Sequence, residues 1–154
     1  MSLVIEIAKS ADRPVVRNML LAAELPVDDF DQAPVVLWVA RDVANLAGAV
    51  GLERYGSVGL LRSLVVDSSY RGSGIGRRLV AALEQQAAAA GISQITLRTE
   101  QAAPFFEKLG FCAIDRAQAP PVVLRHAQFQ SLCPVSAICM TKVPMHPAPE
   151  GHRG

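Results

Sequence analysis

The order of strand and helix patterns predicts a mixed α/β fold in one domain. The chain has 154 residues, enough to bury a continuous core, and 51% of them are apolar while 19% are charged. Three consecutive strand patterns precede a glycine-rich segment, and later strands alternate with helices. A meander that continues through helical crossovers predicts a central twisted, mostly antiparallel sheet of six or seven strands flanked by helices.

The first half of the chain supplies a strand, a helix and a three-stranded meander. A β-branched run at residues 4–7 predicts the first strand, and capping residues near Asp12 begin a helix that Pro26 ends. An acidic, irregular loop follows. The meander covers residues 35–41, 46–54 and 60–66, and its last strand is almost continuously apolar, which is typical of a strand covered on both faces.

The second half alternates helices and strands. A glycine-rich loop opens into a helix that ends at Gly91, where glycine is a common terminator. The pattern then predicts a strand at 92–99, a short helix after Pro104, and a final pair of strands at 111–116 and 137–142, separated by a long, partly helical segment. Residues 143–154 are rich in proline and glycine without apolar periodicity, so we expect a domain at 1–142 and a disordered tail at 143–154.

Charge and cysteine content argue against several classes of function. The net charge is +1 with no basic face, which disfavours nucleic acid as a partner, and no apolar run approaches the ~20 residues of a membrane span. Glu6 and Lys9 are atypical of a signal peptide, and three cysteines without metal-ligand spacing indicate reduced thiols. We therefore expect a cytoplasmic protein with no metal, membrane or nucleic-acid partner.

The glycine-rich loop at residues 71–76 is the most informative segment. It follows a buried strand and leads directly into a helix, so its backbone N–H groups and the helix dipole can converge on an anion such as a pyrophosphate. A turn without a ligand is the alternative. The glycine spacing and the preceding meander differ from a dinucleotide fingerprint, and Arg77 stands where a Walker A loop needs lysine.

Two blocks of the sequence resemble the GNAT acetyltransferases. The run Arg-Gly-Ser-Gly-Ile-Gly at 71–76 matches the R/Q-x-x-G-x-G/A signature of that family, and Ala-Pro-Phe-Phe-Glu-Lys-Leu-Gly-Phe at 103–111 matches its downstream block in order and spacing. The resemblance implies that the fourth and fifth strands splay apart to admit acetyl-CoA as co-substrate. It implies pyrophosphate binding by the loop, pantetheine pairing along the preceding strand and a cofactor contact from the second block. These cofactor-binding residues are Leu64, Val65, Val66, Arg71, Gly72, Ser73, Gly74, Ile75, Gly76, Arg77 and Phe106.

The catalytic groups are less clear from the sequence. A backbone N–H of the strand at 64–66 can polarise the thioester carbonyl. Phe106 stands where the family commonly has tyrosine, so the proton for the leaving thiolate comes from water, Ser63 or Thr99. Folding the hairpin about residues 55–57 places Glu53 opposite Leu60, where it serves as general base through water or, alternatively, is only a solvent-facing strand residue.

The expected acceptor is a small amine that carries a carboxylate. Arg62 interrupts an apolar strand and either grips that carboxylate or forms a structural ion pair with Glu53 or Glu100. Thr99 and Glu100 are expected to face the same cleft and bind substrate. The runs at 61–66 and 129–134 further resemble amino-acid acetyltransferases of the N-acetylglutamate synthase kind and the arsenic-resistance group. Rival hypotheses are a protein or peptide acceptor and a non-catalytic acyl-CoA-binding module; a homodimer is compatible with the resemblance.

Overall fold

The computed structural model of the protein describes residues 3–25, 27, 30, 34–124 and 137–144. Within these ranges the strands are β1 (Leu3–Ile7), β2 (Val35–Asp42), β3 (Asn45–Tyr55), β4 (Val58–Val66), β5 (Gln94–Thr99), β6 (Cys112–Ile114) and β7 (Ile138–Lys142). The helices are α1 (Asp12–Ala22), α2 (Ile75–Ala89), α3 (Ala103–Lys108) and α4 (Pro121–Leu124).

The strands form one seven-stranded sheet in the order β1-β2-β3-β4-β5-β7-β6. Every neighbouring pair is antiparallel except β4 and β5, which run parallel. The predicted mixed α/β fold is therefore confirmed. The strand predicted at 111–116 is shorter than expected, since it pairs only from Cys112 to Ile114. Most of the predicted tail lies outside the described residues.

Helix α2 ends through a left-handed glycine, as its sequence predicts. Gly91 has a φ of +85°, and the N–H of Ile92 donates to the carbonyl of Ala87. The chain can therefore reverse at once into β5. The predicted strand at 92–99 begins two residues late, at Gln94, because this capping turn occupies the intervening positions.

Hydrophobic clusters cover both faces of the sheet. The larger cluster lies beneath α2 and α3 and includes Leu61 of β4 with Ile95 and Leu97 of β5. On the opposite face, one cluster lies beneath α1, and a smaller one joins Leu60 to α4. We call the first side the α2 face and the second the α1 face. Burial on both sides explains the continuous apolar run of β4.

Arg41, near the end of β2, connects α1 to the sheet through hydrogen bonds. Its Nη2 donates to Asp12 Oδ2 at 2.6 Å, and its Nε donates to Glu6 Oε2 at 2.6 Å. Asp12 Oδ2 also accepts from the N–H of Lys9 at 2.8 Å. The hydrogen bond from Arg41 holds the pKa of Asp12 below its ordinary value, against the opposing effect of burial. Because Asp12 is the first residue of α1, this pair fixes where the helix meets the sheet.

We expect Asp12→Asn to lower the free energy of unfolding by about 1–3 kcal/mol at neutral pH, since a charge-assisted hydrogen bond is lost. The folded-state pKa of Asp12 lies below its unfolded value, so this stabilisation is present above about pH 4 and is lost as the pH falls through the folded pKa. Urea unfolding of both proteins across that range should show their difference shrinking in acid. Glu107→Gln, at an exposed position of α3, controls for the loss of a negative charge. If the difference in free energy of unfolding between the two proteins does not change with pH, the hydrogen bond from Arg41 to an ionised Asp12 is not its source.

Candidate functional site

The candidate site lies where β4 and β5 separate. Their parallel pairing joins Val58 to Gln94, Gly59 to Ile95 and Leu60 to Thr96, and then ends. Both strands continue beyond this point, β4 to Val66 and β5 to Thr99. The expected splay between the fourth and fifth strands is therefore present. The edge of β4 that faces the gap is left without a strand partner from β5.

A bulge shapes β4 at the start of this gap. In the pairing with β3, Arg62 lies opposite Gly51 and Val65 lies opposite Ala49, so β4 has two residues where β3 has one. One of the two, Ser63, adopts a φ of +60°, a left-handed conformation that costs a non-glycine residue about 1 kcal/mol. The bulge redirects the backbone that follows it.

The backbone of Leu64 and Val66 points into the gap. The N–H of Asp67 donates to the carbonyl of Ala47 in β3 at 2.8 Å, so the backbone groups of Asp67 are directed towards β3. Val65 lies two residues earlier, so its backbone groups are directed the same way. Successive residues of a strand alternate in this respect. The N–H and C=O groups of Leu64 and Val66 therefore face the open edge, where an extended ligand can pair with them.

A groove of about 500 Å³ continues from this edge to the start of α2. Gly72 and Gly74 adopt left-handed φ angles of +85° and +81°, which leads the chain into the helix with its first N–H groups unsatisfied by the helix itself. Arg71 and Arg77 are exposed beside them. The residues lining the groove are Leu64, Val65, Val66, Tyr70, Arg71, Gly72, Gly74, Ile75, Gly76, Arg77 and Phe105.

This lining fits a ligand with an extended polar arm and an anionic end. The open β4 edge offers backbone pairing for the arm, and the start of α2 offers N–H donors and two guanidinium groups for the anion. Of the predicted cofactor residues, Ser73 and Phe106 do not line the groove. The hydroxyl of Ser73 instead donates to the carbonyl of Tyr70 and braces the loop.

Phe105, and not the predicted Phe106, lines the groove. Phe106 is only 4% exposed and packs edge-on against Phe105, with ring centroids 5.1 Å apart, and against Phe111, at 5.4 Å. Neighbouring residues of a helix project about 100° apart, so α3 turns Phe106 into the core and Phe105 towards the groove. The sequence does not show which of the two adjacent phenylalanines faces the groove, because that depends on how this short helix is rotated against the sheet.

Tyr70 is a groove residue that the sequence did not single out. Its hydroxyl donates to Asp42 Oδ2, at the end of β2, at 2.8 Å. This hydrogen bond raises the pKa of Tyr70 above its ordinary value. The contact ties the glycine-rich loop to the β2–β3 turn, and an aromatic residue directly before Arg71 was the only signal for it.

A buried ion pair lies on the α1 face of β3 and β4. Arg62 Nη1 donates to Glu53 Oε2 at 2.7 Å, and neither side chain is exposed. The other carboxylate oxygen accepts from Tyr55 at 2.5 Å, while Arg62 Nε donates to Ser63 Oγ at 3.2 Å. Glu53 does lie opposite Leu60, as predicted, but it is not solvent-facing. The structure contains the ion pair that was the alternative interpretation of Arg62.

Thr99 and Glu100 do not join Arg62 on one surface. Side chains alternate along β5, which places Thr99 on the α2 face with Ile95 and Leu97. Its hydroxyl accepts from the N–H of Ala102 at 3.0 Å and so shapes the turn before α3. Glu100 lies beyond the end of β5 and is exposed. The predicted common cleft is therefore wrong for Thr99, and the run at 129–134 lies outside the described residues.

Metal-ligand clusters and membrane-spanning helices are both absent from the described ranges. No group of three or more histidine, cysteine, aspartate or glutamate side chains there is arranged to hold a metal ion. None of the described helices has the length and apolar character needed to cross a bilayer.

Comparisons with known proteins agree with this architecture. Residues 33–113, more than half of the chain, match the model of the acetyltransferase (GNAT) domain family. The chain is 41% identical over 61 residues to glucosamine 6-phosphate N-acetyltransferase of Trypanosoma brucei brucei, an alignment that covers 39% of this chain and 42% of the relative. The chain therefore belongs to the GNAT acetyltransferase domain family.

Solved structures share the fold. N-acetylglutamate synthase from Neisseria gonorrhoeae, in complex with coenzyme A and N-acetyl-glutamate, superposes with a TM-score of 0.79 at 17% identity, over 94% of this chain and 36% of that one. The ribosomal-protein-S18-alanine N-acetyltransferase from Escherichia coli superposes with a TM-score of 0.71 at 17% identity, over 99% and 100%. The chain thus spans less than half the length of both the trypanosomal relative and the synthase.

The Glu53–Arg62 pair predicts strong coupling between two substitutions. Glu53→Gln should lower the free energy of unfolding by about 3–5 kcal/mol, because it leaves a buried guanidinium without its counter-charge. The double variant Glu53→Gln/Arg62→Met should lose much less free energy of unfolding than the sum of the losses in the two single variants. Urea unfolding of the four proteins measures this coupling, and additive single effects would contradict the pair. Arg54→Gln, at an exposed position of β3, is the control.

Proposed function

We propose that the chain transfers the acetyl group of acetyl-CoA to the amino group of a small molecule that carries a carboxylate. The observation that carries this proposal is the groove that joins the open edge of β4 to the start of α2. Acetyl-CoA has the two parts that such a groove accommodates, an amide-containing arm and a pyrophosphate. The thioester would then lie at the gap between β4 and β5.

The chain's own groups divide the binding of acetyl-CoA between them. Backbone groups of Leu64 and Val66 pair with the arm, and the N–H groups of the loop at 71–76 hold the pyrophosphate. Arg71 and Arg77 add positive charge from the rim, and Phe105 supplies an apolar wall. Tyr70 positions the loop through Asp42.

The reaction needs little from side chains. A backbone N–H of Leu64 or Val66 donates to the carbonyl oxygen of the thioester, the amine nitrogen forms its bond to the carbonyl carbon, and the carbon–sulfur bond breaks. Thiols are more acidic than alcohols or amines, so the thiolate of coenzyme A is the better leaving group, and water can protonate it. Ser63, in the bulge, is the proposed hydroxyl donor, because neither phenylalanine of α3 has an acidic proton to donate.

Glu53 is better suited to positioning than to direct proton removal. Each of its carboxylate oxygens already accepts a hydrogen bond, one from Tyr55 and one from Arg62, and its side chain is fully buried. We therefore propose that Glu53 holds Arg62 and the bulge in place, while the proton of the ammonium group leaves through water.

The proposed class of acceptor rests on relatives and on resemblance. The trypanosomal relative is named for an amino sugar phosphate, and the synthase is in complex with an N-acetylated amino acid. The runs at 61–66 and 129–134 resemble amino-acid and arsenic-resistance acetyltransferases. The synthase complex and the resemblance favour an amino acid or an amino-acid-like toxic compound as acceptor, whereas the trypanosomal relative favours an amino sugar.

A free-thiol assay with acetyl-CoA tests the activity. The panel contains amino acids, amino-acid analogues including arsenic-containing ones, amino sugars and peptides with free amino termini. We expect turnover on amines with a carboxylate. Turnover confined to peptides would support a protein acceptor, and acetyl-CoA binding by calorimetry without any thiol release would support a non-catalytic module.

Paired glycine substitutions test the groove. Gly74 and Gly56 both have positive φ angles and nothing within 4 Å of an added Cβ, but only Gly74 lines the groove. Both alanine variants should lose about 1 kcal/mol of stability through backbone strain. Gly74→Ala should also weaken CoA binding by at least about 10-fold, since the strained loop moves N–H donors. Equal CoA affinities of the two variants would contradict this location of the site.

A further inference from the structure

Tyr70 uses each of its polar groups to connect the glycine-rich loop to the rest of the fold. Its N–H donates to the carbonyl of Asp67 at 2.9 Å, and its own carbonyl accepts from the hydroxyl of Ser73. Its hydroxyl donates to Asp42 Oδ2 at 2.8 Å, and its side chain packs against the core cluster of the α2 face. The position of the loop therefore depends on this one residue and on its partners.

The partner of the Tyr70 hydroxyl belongs to the tip of the β2–β3 hairpin. Asp42 is the last residue of β2, and a turn with two central residues, 43 and 44, leads into β3. A second hydrogen bond comes from the same end of the hairpin, since the carbonyl of Ala47 accepts from the N–H of Asp67. Asp42 itself does not line the groove. The hairpin tip thus acts on the groove only through the segment that precedes the loop.

The turn at this tip has a conformation that its sequence does not favour. Val43 has a φ of +58°, in the left-handed region that β-branched residues rarely adopt. Only the first central residue has a positive φ, as in a type II′ turn, where glycine is favoured at this position. The two-residue β3–β4 turn has the same arrangement but carries Gly56, with a φ of +64°. The Val43 side chain is 84% exposed, so its own packing does not explain the conformation.

A strained turn and a loop that needs support occur together here. Strained backbone persists where the surrounding structure holds it, and it is concentrated at functional positions. A glycine-rich loop has many accessible conformations, and a ligand that binds its N–H groups must order it at a cost in affinity. The hydrogen bond between Asp42 and Tyr70 orders the segment beside the loop before any ligand binds.

We propose that Asp42 is a positioning residue for acetyl-CoA: it acts through Tyr70 on the N–H groups that bind the pyrophosphate, and the turn at Val43 directs its carboxylate to that hydroxyl. This inference rests on the proposed function and assigns part of the affinity for the anionic end of the co-substrate to a turn outside the groove. The arm of acetyl-CoA, which pairs with β4, does not depend on this contact.

Substitutions of the hydrogen-bonded pair test the connection. Asp42→Ala and Tyr70→Phe should each weaken CoA binding by about 5- to 10-fold in calorimetry, because one hydrogen bond that orders the loop is lost. The double variant should bind CoA no more weakly than either single variant, since both changes remove the same contact. Asp42→Asn keeps a side-chain oxygen that accepts from Tyr70 and should recover most of the affinity. Additive effects of the two single changes would overturn the connection.

A truncated donor separates positioning of the loop from general damage to the fold. S-acetylpantetheine has the arm and the thioester of acetyl-CoA but no pyrophosphate. Asp42→Ala should raise KM for acetyl-CoA by about the factor by which it weakens CoA binding. It should leave kcat/KM for S-acetylpantetheine equal to that of the wild type. If both donors are affected equally, the effect of Asp42 does not pass through the loop and the inference is overturned.

Proline substitutions test the role of the turn. Proline fixes φ near −65°, so Val43→Pro excludes the left-handed conformation and should weaken CoA binding as much as Asp42→Ala does. Gly56→Pro is the matched control, because it changes the same position of an equivalent turn at the other end of β3 and should leave CoA affinity unchanged. Val43→Gly should raise Tm by about 2–4 °C and retain CoA affinity, since glycine adopts this conformation without strain. Thermal unfolding verifies that each variant is folded, and unchanged CoA affinity of Val43→Pro would overturn the role of the turn.

Calorimetry and thiol release separate this inference from the proposed function. If the wild type binds CoA without releasing thiol from acetyl-CoA, the activity is overturned, and the CoA affinities of the variants still decide the role of Asp42. If the wild type releases thiol and Asp42→Ala binds CoA as tightly as it does, only this inference is overturned. A wild type that binds no CoA would overturn both.

Discussion

The early end of the β4–β5 pairing is the constraint on which the rest of the site depends. Parallel strands that pair over only three positions leave backbone groups of β4 without a strand neighbour, and these groups are available to a ligand. The bulge at Ser63 sharpens the separation, since it adds a residue to β4 and redirects Leu64 and Val66 into the gap. The groove that joins the open edge of β4 to the start of α2 follows from that one interruption.

Features that depend on local chemistry were predictable from the sequence. The glycine-rich loop and the stop of α2 at Gly91 need backbone conformations that glycine adopts readily, so both can be recognised without tertiary information. The order of strands along the chain followed from alternating apolar patterns. The opposition of Glu53 and Leu60 followed from the length of the β3–β4 turn alone.

Features that depend on rotation, register or burial were not predictable in the same way. The choice between Phe105 and Phe106 depends on how α3 is turned against the sheet. The grouping of Thr99 with Arg62 failed because the two strands meet in a register that puts these residues on opposite faces.

The interior position of the open edge has a consequence for self-association. An open strand edge is a template for pairing with another chain. The outer strands of this sheet are β1 and β6, whereas the open edge at Leu64 and Val66 lies between β4 and β5. An extended ligand that enters the gap therefore does not compete with edge-to-edge pairing of two sheets.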